Sequence, residues 1–103
     1  MITGPLFFAG QIGVKNDKLV SDELSEQLAQ AVQNIKDILL ENNLDLKNVV
    51  DVTVFLSDPR DYDVFNELYS KIFPKPYPTR ATAFVKSLPR NAKVELKVIA
   101  HPD

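Results

Sequence analysis

The sequence predicts an α+β domain in which a mixed β-sheet is backed by two helices on one face. Three observations lead there. Apolar residues recur every three or four positions from Leu24 to Leu39, the signature of a helix with one buried stripe. From Val50 to Leu56 they alternate with Asp51, Thr53 and Phe55, the period of a strand. The segments then follow as strand, helix, strand, helix, strand, strand, an order that places both helices over one sheet. With 103 residues and no linker or repeat, the chain is read as a single domain, 1-103.

Each element has its own local reason. "PLFFAGQIG" (Pro5 to Gly13) reads as a first strand, closed by Gly13 and the turn chemistry of "KND", with "KLVS" as a brief extended piece. Ser21 is a good N-cap for a helix running to about Asn42, and Asp22, Glu23 and Glu26 complement its dipole. Leu24, Leu28, Ala31, Val32, Ile35, Ile38 and Leu39 form the buried stripe. "DPRDY" breaks the strand that follows, and Asp58 or Asp61 can cap a second helix running to Phe73, with Phe65, Leu68, Tyr69 and Ile72 inward. Pro74, Pro76 and Pro78 stiffen the next loop. A strand from Arg80 to Lys86, the turn "SLPRNA" and a last strand near Lys93 to Ala100 should pair as an antiparallel hairpin.

Composition excludes several classes of function. Hydrophobic residues make up 45% and charged residues 25%, the balance of an ordinary globular protein. No apolar run approaches the roughly 18 residues of a membrane span. The opening "MITGPLFFAGQ" has no basic residue ahead of its apolar piece, so no signal peptide is expected, and the cytoplasm is the default compartment. Zero cysteines removes disulfides, thiolate catalysis and the common zinc sites. The net charge is −2 and the basic residues are scattered, which makes nucleic acid an unlikely partner. There is no glycine-rich phosphate loop, no metal-ligand cluster and only one histidine, His101. No cofactor and no metal are therefore expected.

By parity, the face toward the helices should carry Val50, Val52, Val54, Leu56, Ala81, Ala83, Val85, Val94, Leu96 and Val98. The opposite face then holds Asp51, Thr53, Phe55, Arg80, Thr82, Phe84, Lys86, Glu95, Lys97 and Ile99, joined by Phe7 and Ala9 or by Phe8 and Gly10. That mixture is too apolar to leave wet and too polar to seal, which suits an interface between copies of the chain with a solvated cleft at its border. On this assignment Arg80 and Glu95 are neighbours. An ordinary cross-strand ion pair is the commoner reason for such a pair, worth at most about 1 kcal/mol if exposed. The alternative is a site in which Arg80 receives a ligand carboxylate, since its planar fork fits one two-point fashion. Asn66 and Thr82 have ordinary explanations too, a surface amide and β-propensity.

Three segments together resemble the RidA (YjgF, L-PSP) family of reactive-intermediate imine deaminases. They are "FFAGQIGV", "VVDVTVFLSDPRDYDVFNELYSKIF" and "YPTRATAFVKSLPRNAKVELKVIA", carrying the "P-x-R" strand entry, the "LP" turn, the "VE" of the last strand and the "F-N-x-x-Y" helix. The resemblance implies a chorismate-mutase-like fold, a homotrimeric barrel assembled through the sheet face opposite the helices, and clefts between subunits. It implies hydrolysis of 2-imino acids such as 2-iminobutanoate and 2-iminopropanoate to 2-oxo acids and ammonia. Arg80 would grip the substrate carboxylate and Glu95 would position water and move protons. Gly10, Asn66, Thr82 and Ala9 fall at the remaining substrate-binding positions. A non-catalytic 2-oxo acid-binding module is the alternative, and an endoribonuclease or translation inhibitor the weakest reading. This chain has Ala9 where many members have serine and Thr82 where many have cysteine. It begins at what corresponds to the family's second strand, so a "GPY"-like segment is expected in frame upstream of Met1.

Overall fold

The computed structural model describes residues 3–102. Met1, on which the expectation of an upstream segment falls, lies outside the described residues. Strand β1 (Leu6–Phe7) is much shorter than the continuous strand predicted. Phe8 donates to the Val98 carbonyl and Gln11 exchanges both backbone bonds with Leu96. Ala9 and Gly10 thus stand together opposite the single residue Lys97, the geometry of a β-bulge, and the bulge interrupts the ladder. Strands β2 (Val14–Lys15) and β3 (Lys18–Leu19) form a small hairpin. Its two turn residues, Asn16 and Asp17, have φ of 53° and 67°, values that suit a tight hairpin turn and residues of their type.

Helix α1 (Leu24–Glu41) buries Leu24, Gln27, Leu28, Ala31, Val32, Ile35 and Leu39. It starts later than Ser21, whose hydroxyl instead accepts from the Glu23 amide. Gly13 lets the hairpin press against it, because a Cβ there would come within 2.5 Å of Gln27 Cα and carbonyl oxygen. Asn34 fastens the same contact by donating to the carbonyls of Ile12 and Val14. Gln27 is 1% exposed, yet both ends of its amide are used. It donates to the Ser21 carbonyl at 2.9 Å and accepts from the Lys93 amide at 2.8 Å.

Strand β4 (Val49–Leu56) runs through the middle of the sheet, and a register irregularity between Val49 and Asp51 turns Val50 outward instead of toward the helices. Asp58 caps the short 3-10 turn that leads into α2 (Tyr62–Tyr69). That helix ends four residues before the predicted Phe73; Ser70–Ile72 lie in turn geometry, and Phe73, which precedes Pro74, is steered away from helix. Strand β5 (Thr79–Phe84) and strand β6 (Val94–Ala100) complete the sheet.

The strand order is β1-β6-β4-β5, and this corrects two expectations. Strands β5 and β6 are not a hairpin: β5 pairs parallel to β4, while β6 pairs antiparallel to β4 on its other side. A strand–helix–strand passage from β4 through α2 delivers the next strand parallel, and the segment after β5 then carries the chain past β4. The faces on β5 are consequently reversed. Each rung of the ladder shares a face, and Val98, Val52 and Arg80 form one rung, Leu96, Val54 and Thr82 the next. Arg80, Thr82 and Phe84 therefore stand on the helix side, and Ala81 and Ala83 on the open side with Thr53, Phe55, Glu95 and Lys97.

The core lies between the sheet and the helices. Val52, Val54, Leu56, Val94, Leu96 and Val98 have no exposed surface and meet Ile35, Leu39, Phe65 and Phe8. Phe8 belongs to this core, while Phe7 is 67% exposed beside Ile99 on the open side.

Candidate functional site

The sequence-predicted residues fall into two groups on different sides of the sheet. The first is built where β5, the outer strand, passes beneath α2. Phe65 and Tyr69 are four residues apart on that helix and so share one face. Their rings are 5.4 Å apart and tilted by 34°, and Phe73 backs Tyr69 at 5.5 Å. The Arg80 guanidinium lies over both rings, 5.0 Å from the Phe65 centroid and 4.6 Å from that of Tyr69. A delocalised planar cation suits such a surface better than an ammonium does.

The polar edge of the same guanidinium is held as well. Arg80 Nε donates to Thr82 Oγ1 at 2.9 Å, and Nη2 donates to Asn66 Oδ1 at 2.6 Å. Two of five N–H bonds are thus committed to the protein. Nη1 keeps both of its hydrogens unpaired among the described residues. No carboxylate there lies within 4.0 Å of Arg80. A half-buried cation, fixed from three sides and lacking a counter-ion, is suited to receive an anion.

The second group is Glu95, Gly10 and Ala9. Glu95 stands on the open face in a rung with Phe55 and Ala83. Its carboxyl occupies the space a side chain at position 10 would need, so Gly10 admits it beside the bulge. Ala9 is exposed next to it. Glu95 likewise has no cationic partner among the described residues. The expected proximity of Arg80 and Glu95 within one chain is therefore corrected, because β4 separates their strands and the reversed parity of β5 turns Arg80 to the far side.

Two contributors to the first group, Phe65 and Tyr69, were read from sequence as inward-facing helix residues and as the ends of the "F-N-x-x-Y" motif, with no part in the site assigned to them. Their four-residue spacing around Asn66 was the available signal. The Tyr69 hydroxyl is buried without a hydrogen-bond partner among the described residues, and burial pushes its pKa up to about 12.

In an α+β sheet of this order, with a guanidinium pinned at its outer strand, the open face and the charged edge are both left uncovered by the described residues. Over residues 1–102 the chain matches the family model described as Endoribonuclease L-PSP, and it belongs to that family, the RidA family its motifs resemble. It is 38% identical to Reactive Intermediate Deaminase A, chloroplastic, of Arabidopsis thaliana, over 92% of this chain and 52% of the plant protein. The chain thus spans about half the length of that relative. It is 33% identical to the human 2-iminobutanoate/2-iminopropanoate deaminase, over 97% of this chain and 74% of the human one. Among solved structures it is similar to yeast Mmf1, with a TM-score of 0.92 at 38% identity, covering 100% of this chain and 83% of that one. These likenesses support a deaminase role at the level of the family.

Proposed function

We propose that the protein is a 2-iminobutanoate/2-iminopropanoate deaminase whose site is shared between two copies of the chain in a homotrimer. The observation that carries this reading is Arg80, a half-buried guanidinium with its plane and one edge fixed and with no carboxylate beside it among the described residues. A 2-imino acid supplies the missing carboxylate, and charge-assisted hydrogen bonds of this kind contribute about 1.5–3 kcal/mol each. Glu95 of a second copy lies across the cleft. It takes a proton from water as the water oxygen attacks the carbon of the protonated imine and returns it to the nitrogen, then accepts the carbinolamine hydroxyl proton as the C–N bond breaks and releases it to the departing ammonia. One water is consumed, and a 2-oxo acid and ammonia leave. The imine carbon is already electrophilic, so placement and one proton shuttle suffice.

The open sheet face supports the assembly. Phe7, Phe55, Ala81, Ala83 and Ile99 stand there beside Glu95 and Lys97, an uncovered surface that a second copy would bury. Gly10 and Ala9 line the Glu95 side of the cleft, while Asn66 and Thr82 line the Arg80 side. No helix among the described residues is long and apolar enough to cross a membrane, and the cytoplasm is the compartment we assign to the reaction.

Hydrolysis of 2-iminobutyrate, generated in situ, tests the reading. Arg80→Ala should lower kcat/KM by at least about 150-fold, the loss of two charge-assisted bonds, with the solution mass unchanged. A variant as fast as wild type would contradict it. Saturable binding of 2-oxobutyrate by wild type with no imine turnover would select the non-catalytic carboxylate-binding module instead.

A further inference from the structure

We propose that Tyr69 and Thr82 are positioning residues that act on the substrate only through Arg80, fixing the guanidinium so that Nη1 is the nitrogen presented to the ligand carboxylate. The inference rests on the reading of Arg80 as the carboxylate receptor. It assigns Tyr69 a part that its place on the inner face of a helix does not announce. It also moves Thr82 from contacting the substrate to holding the residue that does.

The geometry separates the two tasks. Tyr69 presents a ring face 4.6 Å from the guanidinium carbon, and Phe73 closes off the other direction in which that ring could swing. This restrains the guanidinium plane. Thr82 accepts from Nε, which restrains rotation within that plane. Because Nε–H is taken, a carboxylate cannot use the side pair formed by Nε and Nη2; it meets Nη1, whose hydrogens are both unused among the described residues. The Tyr69 hydroxyl has no partner among the described residues. The aromatic face therefore accounts for the contact with Arg80, and phenylalanine would preserve it. Leucine would fill much of the volume and remove the π surface.

The test uses the full-length assembled protein, with KM and kcat for 2-iminobutyrate and Kd for 2-oxobutyrate. Tyr69→Leu and Thr82→Val should each raise KM and Kd by about fivefold, a part of what one cation–π contact or one hydrogen bond to an arginine is worth, since both residues act on the substrate only through Arg80. Tyr69→Phe should stay within about twofold of wild type. In an Arg80→Lys background, which lacks both the planar cation and Nε–H, the same two substitutions should have little further effect. A loss of packing alone would appear equally in both backgrounds, and that result would overturn the proposal. So would unchanged KM and Kd in both variants while Arg80→Ala is severely impaired. Should Tyr69→Leu fail to assemble, Thr82→Val decides, since it changes little volume. Full activity of Arg80→Ala would overturn the underlying reading along with this one, which distinguishes the two failures.

Discussion

Arg80 and Glu95 lie on opposite faces of one sheet, with β4 between their strands. Each is a charged group without an opposite charge beside it among the described residues. A single copy cannot bring them to one ligand, because the buried rungs of Val52, Val54 and Leu56 separate the two sides. Two copies can, if the outer strand of one crosses the open face of the next. In a closed ring every copy then uses both of its surfaces, one as arginine donor and one as carboxylate donor.

Glu95 depends on Gly10 for its place. An alanine at position 10 would occupy the volume now filled by the Glu95 carboxyl and push it from the bulge. Gly10→Ala should lower kcat by about tenfold, the size of effect that a small misplacement of a catalytic group produces, with little change in Kd for 2-oxobutyrate. Steady-state kinetics and calorimetric binding on one preparation check this.

Gln27 joins the start of α1 to the approach to β6 from a position with 1% exposure. Replacing it with leucine keeps the bulk but leaves the Lys93 amide and Ser21 carbonyl without these bonds. Gln27→Leu should destabilise the fold by about 1–3 kcal/mol in urea unfolding. Gln33→Ala, on the exposed side of the same helix, should fall within about 0.5 kcal/mol of wild type.

The Tyr69 hydroxyl titrates late. Burial raises it from the ordinary 10.0 to about 12, with the charge of Arg80 opposing the rise and that of Asp51 adding to it. Between those values the folded protein holds a proton that the unfolded chain has released. Stability from this source is therefore complete below pH 10 and is lost as pH rises through about 12. Denaturant unfolding between those limits should show a decline in wild type that Tyr69→Phe reduces.

Much of the architecture was legible because periodicity reports burial directly. The stripe of α1 and the alternation of β4 needed only one buried face each, and both elements are where the pattern placed them. Partner choice was not legible, since alternation in Arg80 to Lys86 says that a strand exists and not which strand lies beside it. Parity on that strand misled for a related reason. Ala81 and Ala83 look like core residues and Arg80 and Thr82 like surface ones. At the sheet's outer strand, however, the helix side is lined by Asn66 and two aromatic faces, which accept a guanidinium, while the small residues face the open side. The residues proposed for the site were thus chosen by type and motif, and their division between two surfaces required the register.

Mixing Arg80→Ala with Glu95→Gln tests the shared site most directly. Each variant alone should be nearly inactive toward 2-iminobutyrate. After the two are unfolded together in equal amounts and reassembled, half the arginine donors and half the carboxylate donors are intact, so random closed rings should recover about a quarter of wild-type activity. Mixed assemblies of verified composition that remain as inactive as the separate variants would contradict a site built from two copies.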